Sequence, residues 1–161
     1  VKGKSLMQGY WKDKKSTNKT IINGWLHTGD LGSFDSENYL KILGRKNEMI
    51  VNSGGENIAP APLEELFLSY DVIDQIMIYG HEKPYLVALV YPSEEIREDK
   101  KIVRKIFDEV NNNLSSTKKV RKFYLIKIPF SIETSELTPT LKIKRRIVEK
   151  NYQRELQSLY K

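Results

Sequence analysis

The chain has 161 residues, of which 39% are hydrophobic and 30% charged, and its formal net charge is +6. That length suits one ordinary domain, or a small domain with an attached fragment, and the composition is that of a folding chain rather than a disordered one. Cysteine is absent, which excludes disulfides and thiolate chemistry, and two histidines, His27 and His81, argue against a histidine-rich metal site.

No apolar run approaches the ~20 residues of a bilayer-spanning helix. No charged-then-apolar start resembles a signal peptide. The chain opens on Val1 rather than Met, so a processed or cut start is expected. Charge is uneven. Residues 1–96 carry ten Lys/Arg against thirteen Asp/Glu, whereas residues 97–161 carry seventeen against eight. A basic second half fits an anionic partner (phosphate, nucleic acid or a membrane surface) or simply a solvated face.

In chain order, residues 1–20 are rich in Lys, Gly and Ser, have little periodicity, and read as loop with room for an edge strand. Asn23-Gly24 is a turn signal ahead of Trp25–Leu31. Tyr39–Leu43 reads as a strand that Gly44-Arg45-Lys46-Asn47 breaks. Met49-Ile50-Val51 resumes extended chain until Gly54-Gly55 turns it. Pro62–Tyr70 is predicted as a short helix, with proline in its first turn and Glu64-Glu65 complementing the helix dipole. Gln75–Tyr79 and Tyr85–Tyr91 are predicted strands around a Gly80–Pro84 turn. Ile102, Ile106, Phe107, Val110 and Leu114 form one helical stripe, so Ser93–Leu114 is predicted as an amphipathic helix. Arg121–Ile128 is a strand, Pro129–Thr140 a loop, and Ile147, Val148, Tyr152, Leu156 and Leu159 mark a last helix. The expected fold is a small α+β domain from about Glu48 onward. The segment ahead of it, without helices of its own, looks like the edge of another domain.

Three segments have chemical potential. In Gly24-Trp25-Leu26-His27-Thr28-Gly29-Asp30-Leu31-Gly32, a carboxylate flanked by glycines can approach a ligand closely and accept hydrogen bonds from two adjacent hydroxyls. It could equally cap its own turn. In Ser53-Gly54-Gly55-Glu56-Asn57-Ile58, paired glycines let backbone line a narrow channel or form a plain hairpin turn. In Leu137–Arg146, Lys142 offers a mobile point charge for phosphate oxygens, or belongs to a basic solvated helix start. Cations at a helix start oppose its dipole, a cost that hints at a purpose.

Taken in order, these segments resemble the adenylate-forming (AMP-binding) enzymes over nearly the whole chain. Gly24–Gly32 resembles their ribose-binding segment and Gly44-Arg45-Lys46-Asn47-Glu48 their interdomain hinge. Ser53–Pro60 resembles the loop lining the pantetheine tunnel, and Thr138–Ile143 the segment of the catalytic lysine. Met7-Gln8-Gly9-Tyr10-Trp11 resembles an earlier strand of the family. The resemblance is greatest to long-chain fatty acyl-CoA synthetases, through Glu56-Asn57-Ile58-Ala59-Pro60 and through Leu141, which replaces the glycine usual before the lysine. Asn47 replaces the usual hinge Lys or Asp.

The resemblance implies that residues 1–43 end a large AMP-binding domain, 44–47 form the hinge, and 48–161 form the small mobile C-terminal α+β domain. It implies that Asp30 and Arg45 bind the nucleotide, Asn47 serves as pivot, Gly54 and Gly55 line the pantetheine path, and Lys142 is catalytic. The parent enzyme would use ATP with magnesium and pass a fatty acyl group to CoA. The magnesium ligands and the acyl pocket are expected in a missing N-terminal domain, so the isolated chain is not expected to adenylate. Lys118, Lys119, Arg121 and Lys122 could meet CoA phosphates or a membrane. A cytoplasmic setting that allows peripheral membrane contact is implied, with no nucleic acid. The competing readings are another adenylating ligase, acting on a carrier protein or forming aryl-CoA, and a stand-alone basic binding module.

Overall fold

In the computed structural model, residues 1–96 and 99–161 are described. The chain divides into two compact units, Val1–Asn47 and Glu48–Lys161.

In the first unit, helix α1 (Lys14–Thr20) lies where the sequence reads as loop. Its signal is a cap rather than a stripe. Asp13 Oδ1 accepts from the Ser16 backbone N–H at 2.9 Å, and hydrogen bonds to Ser16 hold the Asp13 carboxyl below its ordinary range. Strands β1 (Ile21–Ile22) and β2 (Trp25–Leu26) form a hairpin across Asn23-Gly24. Both turn residues are left-handed, with φ of 51° and 76°, the geometry that Asn-Gly supplies at low cost.

A second hairpin pairs β3 (Asp30–Phe34) with β4 (Leu40–Arg45). Contrary to the expected break, β4 continues through Gly44 and Arg45, and a register shift at Leu31/Gly32 absorbs the irregularity. A single 3-10 turn, Lys46–Glu48, follows. No residue from 1 to 47 is fully buried. Trp11, Phe34 and Ile42 are 88%, 71% and 60% exposed, so this unit has no core of its own.

The second unit is built on a three-stranded sheet. Strand β7 (Ile73–Tyr79) pairs antiparallel with β8 (Leu86–Pro92), and β8 pairs parallel with β9 (Val120–Leu125). The parallel pair requires a crossover, which α3 (Lys100–Asn112) supplies. Ahead of the sheet come a small hairpin, β5 (Ile50–Val51) with β6 (Asn57–Ile58), and helix α2 (Pro60–Leu68).

Central strand β8 is buried along its whole length, which explains its unbroken apolar run. Its residues alternate between two cores. Leu86, Ala88 and Val90 face the core of Phe67, Val103, Phe107 and Phe123. There the Phe107 ring lies 4.5 Å from both Phe67 and Phe123. Val87, Leu89 and Tyr91 face the core of Phe130, Val148, Leu156 and Leu159. Helices α4 (Arg145–Asn151) and α5 (Gln153–Ser158) cover that side.

Three expected helices differ in extent. The helix expected over Ser93–Leu114 begins only at Lys100, because Asp99 caps it by accepting from the Lys101 and Ile102 N–H groups. Residues 97 and 98 of that expectation lie outside the described residues. The last helix is two, broken at Tyr152, whose ψ of 24° leaves the helical range. Helix α2 starts at Pro60, so Glu64 and Glu65 fall beyond its first turn and do not serve its dipole.

Candidate functional site

Asp30 and Arg45 face each other as a register pair of β3 and β4. Arg45 Nε donates to Asp30 Oδ1 at 2.9 Å. The carboxylate is thus engaged by a guanidinium, and Thr28 Oγ1 accepts from the Asp30 backbone N–H at 3.2 Å. The Asp30 side chain is 29% exposed and has a second oxygen with which to accept from a ligand. Asn47 sits in the 3-10 turn after β4.

Gly54 and Gly55 form the turn between β5 and β6. Asn52 organises it: its Oδ1 accepts from Gly54 N at 2.9 Å and Glu56 N at 3.0 Å, and its carbonyl accepts from Gly55 N at 2.9 Å. Gly55 has a φ of +79°, and a β-carbon there would meet no atom within 4 Å. Backbone conformation, not crowding, therefore calls for glycine, and the face above it stays open. Glu56 accepts from Thr117 Oγ1 at 3.0 Å, which ties the loop to the Ser115–Lys119 turn.

Lys142 is exposed and lies in a closed loop whose base is a bridge between Leu137 and Ile143. Thr138 organises this loop. Its N–H donates to Lys142 O at 2.8 Å, while its Oγ1 accepts from Lys142 N at 3.0 Å. Leu141 has a φ of +60° and is 69% exposed, so the residue before Lys142 holds a left-handed backbone that favours glycine.

Two residues that sequence reasoning gave no site role stand behind this loop. Glu64 is buried, and its Oε1 accepts from Ile78 N at 2.7 Å. Its other oxygen pairs with Arg145 Nη2, and Arg145 Nη1 donates to Ile78 O at 3.2 Å. The available signal was the cation at a helix start, which turns inward to a carboxylate 81 residues away. Nearby, burial pushes the Glu149 carboxyl up, and Arg145, His81 and Arg146 partly offset that.

Of the four expected surface cations, Arg121 and Lys122 belong to β9, within the strand expected there. They lie 5.3 and 6.0 Å from the Tyr85 ring centre, and Lys83 lies 5.3 Å from that of Tyr160. These cations are interleaved with aromatic rings. Divided at the unit boundary, residues 48–161 carry eighteen Lys/Arg against seventeen Asp/Glu, so the basic excess of the C-terminal residues is balanced within their own unit. Among the described residues, no three His, Cys, Asp or Glu side chains could hold a metal ion, so they do not fit a magnesium site. No helix among them is long and apolar enough to cross a membrane.

The second unit, a three-stranded sheet flanked by helices that carries a glycine turn with an open face and an exposed lysine on a closed loop, is an α+β domain of the adenylate-forming fold. Residues 47–161 match the family model for the AMP-binding enzyme C-terminal domain, and the chain belongs to that family. It is 32% identical over 182 residues to the long-chain-fatty-acid–CoA ligase FadD15 of Mycobacterium tuberculosis, covering 99% of this chain and 30% of that protein. It is 34% identical over 185 residues to long chain acyl-CoA synthetase 3 of Arabidopsis thaliana, covering 100% of this chain and 28% of that protein. The chain thus spans less than a third of the length of these relatives.

Among solved structures, it is similar to the adenylation domain of a carboxylate reductase from Mycobacterium chelonae, with a TM-score of 0.86 and 27% identity over 95% of this chain and 26% of that one. The adenylation domain of a carboxylic acid reductase from Segniliparus rugosus, in complex with AMP and a co-purified carboxylic acid, gives a TM-score of 0.87 at 25% identity over 99% of this chain and 27% of that one.

Proposed function

We propose that this chain is the C-terminal part of an ATP-dependent long-chain acyl-CoA synthetase, which forms an acyl-adenylate and passes the acyl group to CoA. The observation that carries this reading is Lys142, exposed on a loop closed at its base and braced by Thr138. Its ammonium would sit between the acyl carboxylate and the α-phosphate. There it would offset the negative charge that builds on both as the carboxylate attacks.

Asp30 would accept hydrogen bonds from both ribose hydroxyls, with Arg45 holding its carboxylate in place. The open turn at Gly54 and Gly55 would let backbone line the pantetheine arm in the second half-reaction. The change between half-reactions would pivot at Asn47, a role that the boundary between the two units at Asn47/Glu48 supports. The exposed Trp11, Phe34 and Ile42 support a further N-terminal body that covers them. Magnesium would accompany ATP on side chains outside this chain. A cytoplasmic site with peripheral membrane contact is part of the same proposal.

The test uses the full-length protein. Lys142→Ala should lower ATP–pyrophosphate exchange by about 100-fold, while transfer from supplied acyl-adenylate to CoA persists. Unchanged exchange would remove Lys142 from the chemistry. A second reading places the acceptor thiol on a carrier domain instead of CoA, and the likeness to a didomain of adenylation domain and carrier from Segniliparus rugosus favours it (TM-score 0.85, 26% identity). Acyl transfer to a carrier protein but not to CoA would select that reading.

A further inference from the structure

Strand β7 is an edge of its sheet, and the outward backbone groups of Ile78 have no strand partner there. Glu64 and Arg145 take that partner's place. The carboxylate accepts from Ile78 N at 2.7 Å, the guanidinium donates to Ile78 O at 3.2 Å, and the two side chains are paired with each other. Both are withdrawn from water, with side-chain exposures of 9% for Glu64 and 14% for Arg145. Arg145 is the first residue of α4, three positions after Lys142, where a cation opposes the helix dipole. An arginine there needs a compensating partner, and the fork geometry is one that lysine cannot reproduce.

The other side of the Lys142 loop has a separate anchor. Glu136 accepts from Asn151 Nδ2 at 2.9 Å through its side chain and from Lys144 N at 2.7 Å through its carbonyl.

We propose that the Glu64–Arg145 pair is a positioning device for Lys142, fixing the outgoing arm of its loop to the edge of the sheet. The inference rests on the reading of Lys142 as the adenylation lysine. A lysine that must reach a reacting phosphate from a moving domain cannot tolerate drift at its base, because a displacement of about 1 Å can cost about 100-fold in rate. The glycine turn does not depend on this pair. It is held by Asn52, and by Ser53 N donating to Lys83 O at 3.0 Å. The pair therefore serves adenylation and not thioester formation.

The test is a double-mutant cycle in the full-length protein, with Lys142→Ala as one arm and Arg145→Lys as the other. Glu64→Gln provides a milder second variant that keeps an acceptor for Ile78. Both half-reactions and the melting temperature are measured. Arg145→Lys and Glu64→Gln should each slow ATP–pyrophosphate exchange about tenfold or more and leave transfer from supplied acyl-adenylate near wild type. In the Lys142→Ala background neither should slow exchange further, because the residue they position is gone.

Equal losses in both half-reactions that track a fall in melting temperature would overturn the proposal in favour of a plain structural role. So would additive losses, or unchanged exchange in both variants. If Lys142→Ala itself leaves exchange intact, the adenylation reading fails first and the positioning role falls with it.

Discussion

Arg45 Nε donates to Asp30 Oδ1 at 2.9 Å across the β3–β4 ladder, where the two residues are register partners. Sequence reading assigned both to the nucleotide from separate motifs, and the hairpin brings them together. The pair is partly exposed, so it adds less than about 1 kcal/mol to stability. Its use would lie in orienting a carboxylate toward paired hydroxyls. Asp30→Asn in the full-length protein should raise KM for ATP about tenfold, as expected for a charged acceptor lost from a ligand hydrogen bond, and barely move the melting temperature. An unchanged KM would take Asp30 out of the nucleotide site.

Leu141 should respond to substitution in the opposite sense to most loop residues. Its φ of +60° is a left-handed backbone, and at 69% exposure its side chain gains little from packing. Such a backbone costs a non-glycine residue about 1–2 kcal/mol. Glycine returns about 0.5–1 kcal/mol of that through greater unfolded-state freedom. Leu141→Gly should therefore raise the melting temperature by roughly 1–3 °C. The freer loop should slow adenylation even as the fold gains stability. A fall in melting temperature would mean that the leucine side chain stabilises the loop by contacts that outweigh its backbone strain.

What could be read in advance follows from where the signals lie. Strand β8 was legible because it is buried on both faces and shows it as a continuous apolar run. Helix α1 was not, because it buries nothing and its one signal is the Asp13 cap. The break at Tyr152 was hidden by side chains that keep helical spacing on both sides of it. Glu64 reads as an ordinary solvated helix carboxylate, and only a partner 81 residues away shows that it turns inward. Asp30 and the Gly54–Gly55 turn were singled out because glycines leave local marks in sequence, and Lys142 because it stands on a Ser/Thr/Pro-rich loop at the head of a basic run. Of the residues that hold them in place, Arg45 and the cation at the α4 start leave such marks, whereas Glu64 and Asn52 leave none.

Asn111 illustrates a support of this kind. Its side-chain amide donates to Val120 O and accepts from Val120 N, each at 2.9 Å, fastening α3 to the first residue of β9. Val120 is buried, so its backbone cannot turn to water when the amide is lost. Asn111→Leu fills similar space and leaves both groups unpaired. It should cost about 2 kcal/mol and lower the midpoint of urea unfolding with the slope unchanged. Asn111→Asp should cost less, because it keeps the acceptor for Val120 N–H. Equal midpoints for wild type and Asn111→Leu would show the clamp to be energetically idle.

Tyr160 gives the fold a dependence on alkaline pH with a definite sign. Its hydroxyl donates to Tyr85 O at 3.1 Å and Tyr79 O at 3.3 Å, and Tyr85 in turn donates to Leu159 O at 2.9 Å. Burial above all, with smaller contributions from Tyr79 and Tyr85, raises the Tyr160 phenol well above the ordinary tyrosine value. The folded state therefore binds this proton more tightly than the unfolded chain, whose tyrosines ionise near pH ~10. The associated stability is fully present below that pH and is lost as pH rises through the folded value. Melting temperature should decline above about pH 9.5. Tyr160→Phe keeps the ring against Tyr85 but removes the ionising group. It should cost about 1 kcal/mol at neutral pH and flatten the alkaline decline. Some slope should remain from Tyr79 and Tyr152, which burial also raises. Parallel declines in wild type and Tyr160→Phe would assign the alkaline loss to the other raised tyrosines, Tyr70 included.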